Sequence, residues 1–322
     1  MLQILKEKTN DYDYNTFINE ITRMVKKMMG EEFTVRIYKV TKNNSLELDS
    51  LVLLREGKNF APNIYLIPYY EAYTEGTSIK ELADRLCGIY QHCAVPIVDE
   101  KFTYSYEDMK PYIIYRLVSY DKNKKLLEKV PHIKFLDLAI TFHCLVREDE
   151  EGIGTIRVTN EHTQQWAATL HELHDLAINN TKRLFPPTIR SMEEVIKSML
   201  TNEFNTGEGD DLSEELLDRF IDNNSDSSNQ KMYILSNQKG INGASCLIYD
   251  NVLREFSNHI HSDFYILPSS IHEIILVPYE KEITIETLTE MVKDVNRTQV
   301  AGDEVLSDRV YFFSRENNAI SM

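Results

Sequence analysis

The apolar and polar positions form their clearest pattern near the carboxyl end of the chain. Apolar runs over residues 264–267 and 271–277 flank a turn at Pro268, and they predict two neighbouring strands. Before them, residues 232–237 and 244–249 predict another pair of strands, and a helix follows the second one. One face of that helix carries the apolar side chains of Val252, Leu253, Phe256 and Ile260. A helix that lies on a small antiparallel sheet buries these surfaces together.

Earlier in the chain, helical periodicity alternates with short apolar runs. Residues 14–29 predict an amphipathic helix that ends at Gly30, and residues 33–40 and 46–55 predict a pair of strands. The apolar run at residues 135–146 is rich in β-branched and aromatic residues, which favours a buried strand. Further helices are predicted over residues 79–89, 160–168, 170–184 and 189–200. We therefore predict an α+β fold of small, mostly antiparallel sheets, each covered by helices.

Changes in composition divide the chain into four segments. Residues 1–93 predict an N-terminal αβ unit, and residues 94–200 predict a middle unit of strands and helices. Residues 201–230 predict an acidic flexible linker with one short helix, because Asp, Asn, Ser and Gly dominate this segment. Residues 231–322 contain the last pattern of strands and helices, which predicts a C-terminal ββαββα unit.

The composition is typical of a soluble protein that folds without covalent cross-links. Of the 322 residues, 42% are hydrophobic and 27% are charged. The four cysteines show no CxxC spacing, which favours reduced thiols. The chain does not begin with a basic region followed by an apolar one, and no apolar run is long enough to cross a membrane. These features predict a cytoplasmic protein without a membrane partner.

The net charge of −16 is concentrated in one segment. Residues 203–226 contain nine acidic residues and one basic residue, Arg219, so this segment alone has a net charge of −8. An acidic surface repels a phosphate backbone, and no cluster of Lys or Arg alternates with aromatic residues. We therefore expect no nucleic acid as a partner. A weaker hypothesis is that the protein is an acidic decoy of a DNA-binding enzyme.

A cluster of tyrosines around the helix that begins at Pro68 is the candidate binding surface. Tyrosine combines apolar area with a polar tip, and it is favoured at protein interfaces. The alternative interpretation is a seam between structural units. The candidate residues are Asn63, Tyr65, Tyr69, Tyr70 and Tyr73.

Two histidines form the candidate metal site. His171 and His174 share one face of a predicted helix, where both imidazoles could bind one metal ion. His143, Cys144 and His162 are conceivable further ligands. The spacing differs from that of an HExxH motif, and there is no second local pair. The alternative interpretation is a half-exposed helix with histidines at its polar edge.

Two arrangements could supply a nucleophile for hydrolysis. Hydroxyl, imidazole and carboxylate groups occur close together at Ser269, Ser270, His272 and Glu273. Neighbouring positions of one hairpin rarely converge as a catalytic triad, which favours an ordinary turn. Cys246 could act as a thiol nucleophile with His259, His261 or His272. Its apolar neighbours favour a packed, unreactive thiol instead.

Several phrases of the sequence resemble one bacterial family. They are FAPNIYLIPYY (60–70), VPHIKFLDLA (130–139), YILSNQKGINGASCLIY (233–249), SDFYILPSSIHEIILVP (262–278) and VNRTQVAGDEVLSD (295–308). This is an uncharacterised domain-of-unknown-function family that is common in gut clostridia and their relatives. The resemblance spans nearly the whole chain. It implies a bacterial cytoplasmic protein, and it brings no activity and no catalytic residues.

No group of polar residues in the sequence converges as an active site, whereas aromatic surface and a long linker are present. We therefore predict a non-catalytic protein-binding or adaptor module, with another protein as its partner. The alternative is a metal-assisted or nucleophilic hydrolase. The sequence identifies neither a cofactor nor an oligomeric state.

Overall fold

The amphipathic pattern at the start of the chain forms helix α1 (Tyr14–Met29) in a computed structural model of the protein. Asp13 caps this helix, since its Oδ1 accepts a hydrogen bond from the Thr16 N–H at 2.7 Å. Gly30 ends it with a φ of 86°, which a residue with a side chain rarely adopts. The predicted helix and its end are thus confirmed.

The structure describes residues 12–55, 63–92, 105–149, 152–204 and 231–322. The chain divides into two compact units, Met1–Ile97 and Val98–Met322.

In the first unit, three helices and a sheet enclose one hydrophobic core. The sheet is antiparallel, with strands β1 (Phe33–Thr41), β2 (Glu47–Arg55) and β3 (Asn63–Tyr65) in that order. Helices α2 (Ile67–Thr74) and α3 (Ile79–His92) follow the last strand. The core contains Phe17, Ile21 and Val25 of α1, Leu51 and Leu53 of β2, and Leu82 and Leu86 of α3.

The second unit contains two antiparallel sheets. The smaller sheet is built around a long strand, β6, which pairs with β4 on one side and with β5 and β7 on the other. Its strands are β4 (Ile113–Ser119), β5 (His132–Phe135), β6 (Leu138–Asp149) and β7 (Gly152–Arg157).

The larger sheet has six strands in the order β13, β12, β10, β11, β9, β8. These strands are β8 (Pro187–Ser191), β9 (Tyr233–Asn237), β10 (Phe264–Leu267), β11 (Ile274–Pro278), β12 (Tyr311–Ser314) and β13 (Ala319–Ser321). The helices of this unit are α4 (Tyr106–Met109), α5 (Lys124–Leu127), α6 (Asn160–Trp166), α7 (Leu170–Leu184), α8 (Met192–Phe204), α9 (Val252–Ile260) and α10 (Ile285–Thr298). The fold is α+β with small antiparallel sheets, as predicted.

Both sheets of the second unit bury one face in the same core cluster. Tyr115 and Phe142 belong to the smaller sheet, Phe264 and Tyr311 to the larger one, and all four side chains are at most 1% exposed. Helix α9 adds Phe256 to this cluster. The other face of the six-stranded sheet is covered by α10 through a separate apolar cluster. One shared core therefore holds the two sheets together.

The shared core joins the middle and C-terminal segments that composition separates. Strand β8, from the predicted middle unit at 94–200, pairs with β9 from the predicted C-terminal unit at 231–322. Both segments therefore belong to the same compact unit. Most of the predicted linker at 201–230 lies outside the described residues, which end at Phe204 and resume at Lys231.

Two local predictions were wrong. The segment predicted as a strand at 244–249 contains a 3-10 turn (Gly243–Ile248), so the predicted ββαββα order does not hold. A Cβ atom on Gly243 would lie 2.1 Å from Ser236 Oγ, because this turn passes directly over β9. The helix predicted to begin at Ile189 begins at Met192, since the preceding residues form β8.

A carboxylate links the two sheets beside the shared core. Asp137 lies in the turn between β5 and β6, and it accepts hydrogen bonds from the Ser307 hydroxyl at 2.7 Å and from the hydroxyl of Tyr311. Tyr311 has no exposed surface. Its burial, and then the adjacent Asp137 carboxylate, raise the pKa of the Tyr311 hydroxyl. The hydroxyl therefore stays protonated and donates to Asp137.

We expect Asp137→Ala to lower the free energy of unfolding by about 2–4 kcal/mol, because it leaves the buried Tyr311 hydroxyl without an acceptor. Tyr311→Phe should cost about 1–3 kcal/mol, and the double variant should cost less than the sum of the two. Urea denaturation of all three variants measures this coupling. Tyr265→Phe is the matched control, because its hydroxyl donates to the neutral Ile283 carbonyl at 3.2 Å. Additive effects of the two changes would contradict the link.

Candidate functional site

A surface groove with a volume of about 470 Å³ lies between helix α9 and strand β8. β8 is the last strand of its sheet, so within the described residues no strand follows it on the outer side. Phe256 of α9 contacts the rings of Tyr233 and Phe264, each at a centroid distance of 5.0 Å. The helix is therefore centred over β9 and β10, and β8 extends beyond it. The groove is lined by Pro187, Ile189, Ser191, Glu194, Tyr233, Val252, Glu255, Phe256 and His259.

The floor of the groove is apolar and continuous with the shared core. Val252 is 7% exposed and Phe256 is 4% exposed, and both belong to the core cluster. Ile189 and Tyr233 are half-buried and pack against the same cluster. Because close-packed neighbours hold these side chains from below, the floor is a preformed surface.

The edge of β8 also carries polar backbone groups. Pro186 and Met192 form backbone hydrogen bonds with Gln238 and Met232 on the β9 side. By the alternation of an antiparallel ladder, Ile189 directs its N–H and C=O to the open side. The Ser191 N–H is occupied, since it donates to Glu194 Oε2 at 2.9 Å. By the same alternation the Pro187 carbonyl faces this side, so the edge offers one donor, the Ile189 N–H, and two acceptors, the carbonyls of Pro187 and Ile189.

The rim of the groove is acidic. Glu194 and Glu255 are exposed carboxylates on either side of the floor, and none of the lining residues is Lys or Arg. His259 lies one helical turn after Glu255 on the same face of α9. The groove thus combines apolar area with negative charge.

The predicted tyrosine surface lies in the first unit and is partly internal. Tyr73 is 4% exposed and belongs to the core, where its ring lies 5.2 Å from that of Phe17. The Tyr70 ring packs against the same phenylalanine. Tyr65 and Tyr69 are half-buried, and Asn63 is exposed. Tyr70 is half-buried as well, so the outward part of the predicted surface consists of Asn63, Tyr65, Tyr69 and Tyr70.

The predicted metal ligands lie on helix α7. His171 is largely exposed, and its Nδ1 is 2.8 Å from Asp175 Oδ2 on the same helix. His174 is half-buried. Within the described residues, no group of three or more His, Cys, Asp or Glu side chains is arranged to hold a metal ion.

The three conceivable further ligands lie apart from that helix in different surroundings. His143 is buried in the smaller sheet at 5% exposure, and Cys144 lies in the shared core. His162 caps α6, since its Nδ1 accepts a hydrogen bond from the Thr159 N–H at 3.1 Å. Cys144 and His162 therefore have local structural roles, in core packing and helix capping.

The serine and histidine residues near the turn at Pro268 do not form a triad. The Ser270 hydroxyl accepts a hydrogen bond from the backbone N–H of His272 at 3.0 Å. The imidazole of His272 accepts from the Asn242 N–H through Nδ1 at 3.3 Å, and its Nε2 lies 3.4 Å from Glu304 Oε1. Because both ring nitrogens are engaged, neither is free to take a proton from a serine.

The buried cysteines are unsuited to nucleophilic attack. Cys246 has no exposed surface, and its Sγ donates a hydrogen bond to the Ser236 carbonyl at 3.2 Å. Burial raises the pKa of the Cys246 thiol to about 12, and burial does the same for Cys144. A thiol with such a pKa carries almost no thiolate at neutral pH.

The groove was not found from the sequence. Its main signal is the pair Pro186-Pro187 followed by a short β-branched stretch, which is compatible with an edge strand. The predicted helix begins at Ile189, three residues before the observed helix at Met192, and it therefore includes residues that form β8. Val252 and Phe256 were recognised as a buried face, whereas the open space beside them depends on where the sheet ends.

The geometry describes an α+β protein with an open surface groove and no assembled catalytic group among the residues that the structure describes. The chain belongs to the family of unknown function DUF5688, whose sequence model matches residues 14–315. Searches of curated proteins and of solved structures find no match. Among the described residues, no helix is long and apolar enough to cross a membrane.

We expect Cys144 and Cys246 of the folded protein to resist alkylation at pH 8, because with a pKa of about 12 only about one thiol in ten thousand is ionised. Iodoacetamide labelling followed by peptide mass spectrometry measures this for each cysteine. Both residues should label fully in denaturant. Ser321→Cys places a thiol at an exposed position and is the positive control. Rapid labelling of Cys246 in the folded protein would restore it as a candidate nucleophile.

Proposed function

We propose that the protein is a non-catalytic binding module that holds a segment of a partner protein in the groove between α9 and β8. The observation that carries this proposal is an open apolar floor at the free edge of a sheet. Partner segments commonly bind such edges through backbone hydrogen bonds, while their side chains enter neighbouring pockets. The outward-directed N–H and C=O of Ile189 supply the backbone contacts, and the half-buried side chains of Ile189 and Tyr233, above Val252 and Phe256, supply the apolar ones.

The charge of the rim defines the chemistry of the partner. The carboxylates of Glu194 and Glu255 favour a segment in which an apolar side chain is flanked by Lys or Arg, and they disfavour an acidic segment. A basic segment also suits the net charge of −16 of the whole chain, which accelerates association with positively charged partners.

The outward tyrosine surface in the first unit remains a second surface for the same role. Tyr65 lies under the Lys42 ammonium group, which is 4.3 Å from the ring centroid, and Tyr69 is half-buried. An adaptor needs two surfaces, and these two lie on different units of the chain. The functional test therefore includes variants of both surfaces.

We expect a peptide library displayed on phage and selected on the protein to yield sequences with an apolar residue flanked by Lys or Arg. The expected change in Kd for a selected peptide is an increase of about tenfold or more with Ile189→Asp, which places a carboxylate in the apolar floor. With Glu255→Lys, Kd should increase by about two- to fivefold, because an exposed charge at the rim contributes little to the binding free energy. Fluorescence anisotropy measures both values.

Glu282→Lys is the matched control, because this exposed carboxylate lies outside the groove, and it should leave Kd unchanged. Thermal melting shows whether Ile189→Asp still folds, and Glu255→Lys keeps the test valid if it does not. Loss of binding with Tyr65→Ala and Tyr69→Ala, but not with the groove variants, would move the site to the tyrosine surface. Failure to select any peptide that binds at either surface would contradict the proposal.

A further inference from the structure

The smaller sheet of the second unit carries a basic patch on the face opposite the shared core. Along β4 and β6 the side chains alternate, so that Tyr115 and Phe142 enter the core while Arg116 and His143 lie on the other face. Arg157 of β7 pairs directly with His143. The positions of these strands next to Arg116 and His143 on this face are apolar, hydroxyl-bearing or basic. The acidic residue that the register places on the same face is Glu148, towards the far end of β6, where it forms an ion pair with Lys239.

The patch is enclosed between two small apolar clusters. One cluster, with Val118 and Ala139, lies at one end of the face, and the other, with Ile114 and Phe185, lies at the other end. Between them, His143 is only 5% exposed. Arg116 is partly exposed, so the patch can be reached from solvent along its guanidinium group.

Two nitrogen atoms in the patch are buried without a hydrogen-bond partner. They are Arg116 Nε and His143 Nδ1, and no polar atom of the described residues bonds to either one. The other ring nitrogen of His143, Nε2, lies 3.3 Å from the Thr141 hydroxyl. The Thr141 hydroxyl also lies 3.4 Å from the Arg116 carbonyl, so its one proton has two possible acceptors. When Thr141 donates to Nε2, the proton of the neutral imidazole lies on Nδ1, which is then able to donate. Both orphaned atoms are donors in that arrangement.

The electrostatics of the patch are unfavourable in the absence of an anion. Burial, and then the neighbouring Arg157, lower the pKa of Arg116 to about 10. Burial, followed by Arg116 and Arg157, holds the pKa of His143 well below its usual value. Arg116 still carries its charge at neutral pH, and no carboxylate of the described residues forms an ion pair with it. A charge that is partly withdrawn from solvent without a partner is unfavourable, and an anion would reduce this cost.

We propose that this basic patch binds a small oxyanion, which accepts hydrogen bonds from the guanidinium of Arg116 and from Nδ1 of His143. Guanidinium is planar and matches the oxygen atoms of phosphate and carboxylate groups, so arginine is the side chain best suited to bind them. The site lies on the smaller sheet and does not depend on the groove proposed above.

The test measures the thermal midpoint of the full chain with sodium phosphate, sodium sulfate, sodium acetate and sodium chloride at equal ionic strength. We expect phosphate or acetate to raise the midpoint in a saturable manner, by about 5–10 °C at a concentration 100-fold above Kd. The response to acetate compared with phosphate separates a carboxylate site from a phosphate site. Titration calorimetry with inorganic phosphate or acetate then measures Kd directly.

Arg116→Met should abolish this response and should leave the midpoint in chloride unchanged or raised, because it replaces an unpaired buried charge by an apolar side chain. Arg254→Met removes an exposed arginine of α9 and should retain the full response. Two results together would overturn the proposal. The thermal midpoint in chloride would fall with Arg116→Met, and all variants would respond equally to every anion. That result would mean that Arg116 is compensated within the chain.

Discussion

The structure of the second unit depends on the burial of two sheets against each other. One face of the four-stranded sheet and one face of the six-stranded sheet share a core that contains Tyr115, Phe142, Phe264 and Tyr311. Burial of large aromatic side chains is the dominant stabilising term in such a core. The hydrogen bonds from Tyr311 and Ser307 to Asp137 add a polar link between the two sheets at the border of this core.

Once each sheet has one face in the shared core, its second face must be covered or must stay polar. The six-stranded sheet solves this with helix α10, whose Leu288 and Val292 cover the strands. Two apolar clusters cover the ends of the second face of the four-stranded sheet, and Arg116, Thr141 and His143 lie between them. The basic patch therefore consists of the polar side chains that lie between the two apolar clusters.

The groove has a related origin. Helix α9 is short and centred over β9 and β10, so the last strand of the sheet projects beyond it, and Val252 and Phe256 border open space. Both proposed sites thus lie where the coverage of a sheet ends. The family has no known function, so it assigns no ligand or reaction to either site. Both proposals are supported by the local geometry alone.

Local patterns predicted much of the fold. The spacing of Phe17, Ile21 and Val25 specified α1, and the alternating strands around residues 42–45 specified the pair β1 and β2. These predictions succeeded because the periodicity of a helix or hairpin is a property of neighbouring residues. The prediction at Ile189 failed because a short strand at a sheet edge has few residues to display its pattern.

The sequence alone determined the fold class, most of the helices, and the apolar character of residues such as Cys246, whose neighbours indicate a packed thiol. Only the tertiary structure decided that β8 joins β9 across a long acidic segment, that His272 is engaged at both ring nitrogens, and that Arg116 and His143 meet on one face. These features arise from contacts between residues far apart in the chain. Such contacts depend on sheet order and register, which no local pattern encodes.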